Sequence, residues 1–390
     1  MTKITSAALF FLAAGIFTSV TILSAYQILF AIPLAYYIYL ALKNKDFELP
    51  KSAWFLLAFT VVALLSLIIN YDLIPKPSKN FGRLKYFIFG VGGIYVYKVW
   101  LDEVTNRAKK IILNIFYLTI LISASYAIYT YAISEISRGS GLTETMRYGY
   151  GTSMVLLILL SSVLNNKHFG DWFNFKTASF FFVIGFFGMY FTYTRGALLG
   201  FLCGLPFVLY YFKPKLGLTL GSGALFLIMI LGGFYLFGSG NYNSRFLVSK
   251  NNNSDKIRRS QWQAAIIATK EKPLLGWGLS NFHSQLKRIK QENDLDAKHY
   301  NDAHAHNLFL EVSSGTGIIG LSLFLAWLIS WAYECFKAKG IIRSLIFPFG
   351  VGFVVSSQFE VTFDANNASL IFTIYAISSA LQKKSSANAV

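Results

Sequence analysis

The chain has 390 residues, of which 55% are hydrophobic and only 14% charged, with 37 Phe, 23 Tyr and 7 Trp. An ordinary soluble domain is about a quarter charged, so this balance excludes a cytosolic globule and a disordered chain alike. The formal net charge of +17 would direct a soluble protein to nucleic acid; in so apolar a chain it raises instead the question of which side of a bilayer the charges occupy, and no nucleic-acid partner is expected.

A helix needs about 20 apolar residues to cross a bilayer. Residues 4–42 contain no Asp, Glu, Lys or Arg, which leaves room for two crossings. Lys3 ahead of this run imitates a signal peptide, but no small-residue cleavage site follows and the run continues, so it reads as the first span. Apolar runs bounded by charges predict about 12 transmembrane helices, near 5–22, 25–42, 52–70, 85–100, 111–134, 149–165, 177–193, 196–212, 216–238, 308–333, 342–358 and 367–382. The expected fold class is therefore an all-α polytopic membrane protein with one large extramembrane loop containing short helices. Residues 1–238 carry the first nine spans, 239–307 the loop, and 308–390 the last three spans and a short tail. Cys203 and Cys335 lie within or at the end of apolar stretches and support neither a disulfide framework nor a thiolate metal site. The two halves show no repeat of the kind common in secondary transporters.

With twelve spans both termini share a side. The short segments on that side hold seventeen Lys and Arg, and those opposite hold seven, namely Lys76, Lys79, Arg83, Lys85, Arg138, Arg147 and Arg195. The positive-inside rule then predicts cytoplasmic termini and an extracytoplasmic 239–307 loop. That loop holds four of the five histidines, His283, His299, His304 and His306. Its first part, 241–256, is a polar, Asn-rich linker. From Arg258 to Ile267 the pattern turns helical, with Trp262, Ala265 and Ile266 on one face, and Pro273 and Gly276 mark a break. The helix is expected to lie on the membrane rather than across it.

Arg195 stands in Tyr193-Thr194-Arg195-Gly196, in a turn almost too short to be a loop. It is either an interfacial anchor that snorkels to water or a fork for phosphate oxygens at headgroup depth. Gly196, Gly200 and Gly204 follow on one helix face, where backbones can approach closely. Arg258 and Arg259 open the loop helix, where free N–H groups also favour an anion. Asp302-Ala303-His304-Ala305-His306-Asn307 precedes span ten. A His-x-His pair suggests a metal, with Asp302 or His299 as further ligands, but the spacing is not compelling, and no metal is expected. A neutral imidazole poised as a base fits better, and His306 is favoured over His304 as the one nearer the membrane; the plain alternative is a histidine bonded to backbone at a helix start. Lys76, Lys79, Arg83 and Lys85 form an outer positive cluster suited to lipid headgroups or substrate phosphates. Arg147, with Arg138, shares a loop with Glu135 and Glu144; it either pairs there or contributes to substrate binding. Glu360 and Asp364 are the only candidate acid couple for a glycosidase, a reading not favoured.

The run Lys272-Pro273-Leu274-Leu275-Gly276-Trp277-Gly278-Leu279-Ser280-Asn281-Phe282 resembles the loop signature of the O-antigen ligase and polymerase superfamily, as does Arg258-x-x-x-Trp262 ahead of it. His306-Asn307, nine residues and then Gly317-Ile318-Ile319-Gly320 resemble the His-Asn to Gly-x-x-Gly pattern of the ligases. The close match covers about 258–320, and Thr194-Arg195-Gly196 extends it more loosely. The resemblance implies a metal-independent, cofactor-free glycosyltransferase of the bacterial inner membrane, moving O-antigen from undecaprenyl pyrophosphate to a lipid A–core sugar on the periplasmic side. Its essential arginines and histidine fall by motif on Arg195, Arg258 and His306, with Arg259 one residue from the second. An O-antigen polymerase is the nearest alternative, followed by a protein O-oligosaccharyltransferase and, from another class, a lipid-oligosaccharide flippase.

Overall fold

The computed structural model describes residues 1–44, 48–133, 138–165, 173–212, 253–295, 304–338 and 341–387. The expected ninth span at 216–238, most of the 241–256 linker, His299 and Asp302 lie outside the described residues. Among the described residues every regular element is helical. In chain order they are α1 (Thr2–Gly15), α2 (Val20–Asn44), α3 (Lys51–Ile69), a 3₁₀ turn (Tyr71–Leu73), α4 (Pro77–Phe81), α5 (Leu84–Glu103), α6 (Asn106–Ile133), α7 (Thr145–Leu164), α8 (Phe175–Phe191) and α9 (Arg195–Phe212). After these come α10 (Asn253–Glu271), α11 (Phe282–Glu292), α12 (Leu308–Lys337), α13 (Ile341–Ser356) and α14 (Ala365–Ala387). Six of them, α2, α3, α6, α7, α9 and α12, are long and apolar enough to cross a bilayer, and α1, α8 and α13 are shorter apolar helices. The chain is a helical membrane protein.

The first apolar run breaks at Gly15, several residues earlier than its composition suggests. The Gly15 carbonyl accepts from Thr18 and Ser19 N–H, and Asn366 of α14 donates to the carbonyls of Gly15 and Ile16. The break is thus fixed by a partner 350 residues away. Much of the aromatic content is spent on a central column. Trp327 of α12 stacks on Trp331 at 5.8 Å and on Phe372 of α14 at 5.5 Å, and Phe59, Phe87, Phe324 and Phe363 close around them. Burial of such rings stabilises by about 1.5–3 kcal/mol each where water is the alternative, and offset or edge contacts add to it. Gly196, Gly200 and Gly204 do mark a close helix approach: a Cβ there would overlap Tyr150, Ser356 and Leu157 on the neighbouring helices α7 and α13.

The helix α10 buries Ser260, Gln261, Ala264, Ala265 and Ala268, while Ile266 is exposed. The face differs from the expected Trp262–Ala265–Ile266 stripe because small alanines let α10 lie close against α11 and α12, and bulk at Ile266 is turned outward. Beyond α10 the motif loop 272–281 enters a notch in α12. Gly317, at φ 67° and ψ −171°, interrupts that helix. The interruption frees the carbonyls of Ser314 and Gly315, which accept from Trp277 and Gly278 N–H at 2.9 Å each; Ile318 N–H turns to the Pro273 carbonyl at 2.7 Å. These three backbone groups find partners in the loop, as buried main-chain polar groups require. Ser66 at the end of α3 donates to the carbonyls of Leu275 and Gly315, and Asn70 donates to that of Gly276. Lys272 reaches Asn70 Oδ1 at 2.6 Å and lies 4.1 Å from the Trp277 ring, whose indole N–H bonds the Ala268 carbonyl.

An alanine at Gly317 would meet the Leu274 carbonyl and occupy a backbone region that is essentially glycine's alone, a strain of about 1–3 kcal/mol before any collision is counted. We expect Gly317→Ala to lower the thermal unfolding midpoint of detergent-solubilised protein or abolish its monodisperse elution. Gly350→Ala, where a Cβ meets nothing within 4 Å, should leave both unchanged.

Candidate functional site

The 75–83 segment before α5, the starts of α7, α11 and α12 and the 360–364 segment between α13 and α14 line a cavity of about 350 Å³. One wall carries Lys76, Lys79 and Arg83 with Ser280 and His283; another carries Glu144, Arg147 and Tyr150; His304, Glu311, Glu360 and Asp364 complete the lining. The first wall is built by the motif loop. Buried Asn80 donates to the Leu279 carbonyl at 2.9 Å and Arg83 donates to Ser280 Oγ at 2.8 Å, so the 76–83 segment is clamped to the loop that the α12 notch holds.

Asn307 explains half of the His-Asn motif. Its side chain caps α12 by accepting from Phe309 and Leu310 N–H, and its amide donates to the Gln358 carbonyl. Leu308 N–H also reaches the Ser357 carbonyl at 2.8 Å. These bonds dock the start of α12 on the segment after α13 and bring the histidines to Glu360. His306 Nδ1 lies 3.1 Å from Glu360 Oε2 and His304 Nδ1 3.3 Å from Oε1. The two rings meet edge to face, their centroids 4.3 Å apart. His306 adopts φ 47°, the left-handed region, and buried Glu311 holds the turn by accepting Ala305 N–H at 3.0 Å.

Burial pushes the Glu360 carboxyl upward, but the hydrogen bond from His306, the charges of His304 and His306 and the Val361 N–H outweigh it, and the group is held below the usual carboxylate range. An ionised carboxylate only accepts hydrogen bonds, so His306 presents a proton on Nδ1 to it, and the neutral form of the ring then has its lone pair on Nε2. His304 Nδ1 also lies 3.3 Å from the His306 backbone N–H. One nitrogen cannot accept there and donate to Glu360 together, so the two contacts are alternatives set by whether Nδ1 carries a proton. Asp364 has a different duty: it caps α14 through Asn366 and Asn367 N–H, and burial raises its carboxyl above the ordinary value against those bonds and Arg147. Of the Glu360–Asp364 couple, one member is thus committed to structure.

Arg195 is the first residue of α9, half-buried, in a turn closed by Thr192 Oγ1 donating to the Met189 carbonyl. Gly196 beside it lies against the Tyr150 hydroxyl. That hydroxyl, which lines the cavity, is within electrostatic reach of Glu360, Arg258, Arg138 and Arg195 together. His304 and His306 thus meet at one buried carboxylate, while Arg195 and Arg258 lie within electrostatic reach of the neighbouring phenol. Lys76, Lys79, Arg83 and Arg147 line the cavity. Lys85 and Arg259 do not: Lys85 Nζ lies 5.2 Å from the Tyr86 ring, and Arg259 is exposed on α10. The cavity wall itself carries His304, while His306 stands behind it with 14% of its side chain exposed. Tyr150, Glu311 and His283 join the site without a sequence signal; Glu360 carried one, as an acid at the end of an apolar span.

Among the described residues His304, His306 and Glu360 are also the group whose ligand atoms, all within 4.8 Å of one another, could hold a metal ion. The set is chemically a fair one for zinc, so a proton-transfer role and a metal role are separated by experiment rather than by ligand type.

No curated protein matches this chain. Residues 180–325, which contain Arg195, Arg258, His304, His306, the motif loop and the Gly317 break, match the family model described as O-antigen ligase, and that match supports a place in the O-antigen ligase superfamily.

Proposed function

We propose that the protein is an O-antigen ligase: it transfers O-antigen polysaccharide from undecaprenyl pyrophosphate to a sugar of the lipid A–core, on the periplasmic face of the bacterial inner membrane. The observation that carries the reading is a cavity lined by Tyr150, Glu360 and His304, with His306 bonded to that carboxylate and Arg195 and Arg258 within electrostatic reach of the Tyr150 hydroxyl. The excess of Lys and Arg on the opposite side supports an outward-facing cavity and cytoplasmic termini. Arg195 opens α9 and His306 precedes α12, while α10 begins at Asn253, five residues before Arg258, so that arginine stands in the second turn and not at the helix start the sequence suggested; a flippase would set its charges near the midplane.

In this mechanism Arg195 and Arg258 neutralise the pyrophosphate as it departs with growing charge. The acceptor hydroxyl oxygen attacks the anomeric carbon as the carbon–oxygen bond to pyrophosphate breaks. The leaving group takes the electron pair, and His306 Nε2 takes the hydroxyl proton. Glu360 orients the ring and stabilises the imidazolium. No side-chain nucleophile intervenes, so the centre inverts, and neither metal nor cofactor is required because the pyrophosphate linkage is already activated. His304 is the rival base, since it stands on the cavity wall.

A gel of lipopolysaccharide from a deletion strain is the primary test. Bare core with O chains left on the polyprenyl carrier supports the ligase; core bearing one repeat unit identifies a polymerase instead. Loss of a general base costs about 10²–10⁴ in rate. His306→Ala should show that loss in a transfer assay with unchanged membrane expression, and His304→Ala a smaller one; the reverse order would pass the role to His304. Arg195→Ala and Arg258→Ala should each abolish detectable transfer. Chelators should leave the rate unaltered, whereas inhibition reversed by zinc would make the His304–His306–Glu360 set a metal site.

Glu360 has its folded pKa depressed, so its ionised form stabilises fully above the ordinary carboxylate value of about 4.3, and that contribution is lost as pH falls through the lower folded value. The melting-temperature gap between wild type and Glu360→Gln should therefore narrow on acidification from pH 7 to pH 3. A gap that widens would contradict the charged Glu360–histidine contact.

A further inference from the structure

We infer that the 76–83 wall is the acceptor's anion site: it holds a phosphate carried by the glycolipid that receives the chain, an assignment that rests on the transferase reading above. Lys76 and Lys79 line the cavity, and neither makes an ion pair among the described residues. Arg83 spends one nitrogen on Ser280 Oγ, and the segment between is pinned by buried Asn80. The segment that carries these cations is therefore held in place at Asn80 and Arg83, with the two lysines exposed toward the cavity, and its guanidinium and ammonium groups suit phosphate oxygens.

The wall is separate from the arginines assigned to the donor. Lys79, Arg83 and Lys76 act on His283, whereas Arg258, Arg138 and Arg195 act on Tyr150. Glu311 and Glu360 line the same cavity as the 76–83 cations, and His306 is bonded to Glu360, so the imidazole–carboxylate pair adjoins the space that this wall faces. An inverting displacement needs the attacking hydroxyl and the leaving pyrophosphate on opposite faces of the anomeric carbon. If the pyrophosphate leaves toward Arg195 and Arg258, the acceptor comes from the opposite face, and the 76–83 wall is assigned to it. An acceptor bearing phosphate near its reactive hydroxyl fits that wall; a neutral glycan leaves Lys76 and Lys79 with no ion pair among the described residues.

The test uses the full-length protein in nanodiscs of zwitterionic lipid, with a lipid-linked donor and a phosphorylated core glycolipid or its phosphatase-treated form. Lys76→Ala/Lys79→Ala, at exposed positions, and Arg83→Gln are compared with wild type. About a tenfold rise in acceptor KM for each cation lost, with donor KM unchanged, is expected. Phosphatase treatment should bring wild type down to the double variant, and the variant should lose nothing more. A polyprenyl-pyrophosphate-linked acceptor run in parallel identifies which glycolipid supplies the phosphate, as the one whose KM the substitutions raise. A rise in donor KM, an equal loss with the dephosphorylated acceptor, or a defect confined to nanodiscs containing anionic phospholipid overturns this site alone. A wild type that transfers to no acceptor overturns the transferase reading itself.

Discussion

The interruption of α12 at Gly317 is the constraint on which the site depends. A continuous helix would satisfy its own carbonyls at Ser314 and Gly315; the broken one offers them to Trp277 and Gly278 and takes Pro273 in exchange. The motif loop is thereby made part of the bundle. Through Leu279 and Ser280 it then fixes Asn80 and Arg83, and with them the whole first wall of the cavity. The two sequence motifs that define the superfamily resemblance are the two halves of this joint, and a residue with a side chain at Gly317 fits neither half.

The second organising feature is electrostatic. A buried carboxylate is costly unless its charge is met by hydrogen bonds and neighbouring positive charge. Glu360 has both, from His306, His304 and the Val361 N–H, and its presence gives the imidazole a fixed tautomer. At the opposite end of the bundle a different polar group, Glu334 of α12, is bound by Ser52 N–H and Oγ, with Tyr375 joining Ser52. That set closes on itself and borders no cavity among those described, whereas the Glu360 set opens onto one. The contrast separates a polar helix crossing from a reactive site by access rather than by residue type.

The same packing that makes the site rigid limits what can be read from local pattern. The Gly196–Gly200–Gly204 stripe was legible as a close helix contact because three small residues at helical spacing have few other uses. Arg195 was legible because a two-span turn leaves a side chain little freedom. The buried face of α10 was not, since hydrophobicity alone favoured Ile266 while close approach selected Ala264 and Ala268. The break after Gly15 was not either, because its carbonyls are answered from α14.

Hydropathy and charge spacing, which act between neighbours along the chain, determined the helical membrane class, the positions of most helices, the motif loop and the arginine and histidine candidates. Tertiary structure decided what required distant segments to meet: the notch in α12, the bond of His306 to a carboxylate 54 residues onward, and the facing of Lys76, Lys79 and Arg83 into the cavity while Lys85 and Arg259 face elsewhere. The reason is that a side chain's direction follows from which helices pack beside it, and that packing is set by shape and by buried hydrogen bonds between residues far apart in sequence.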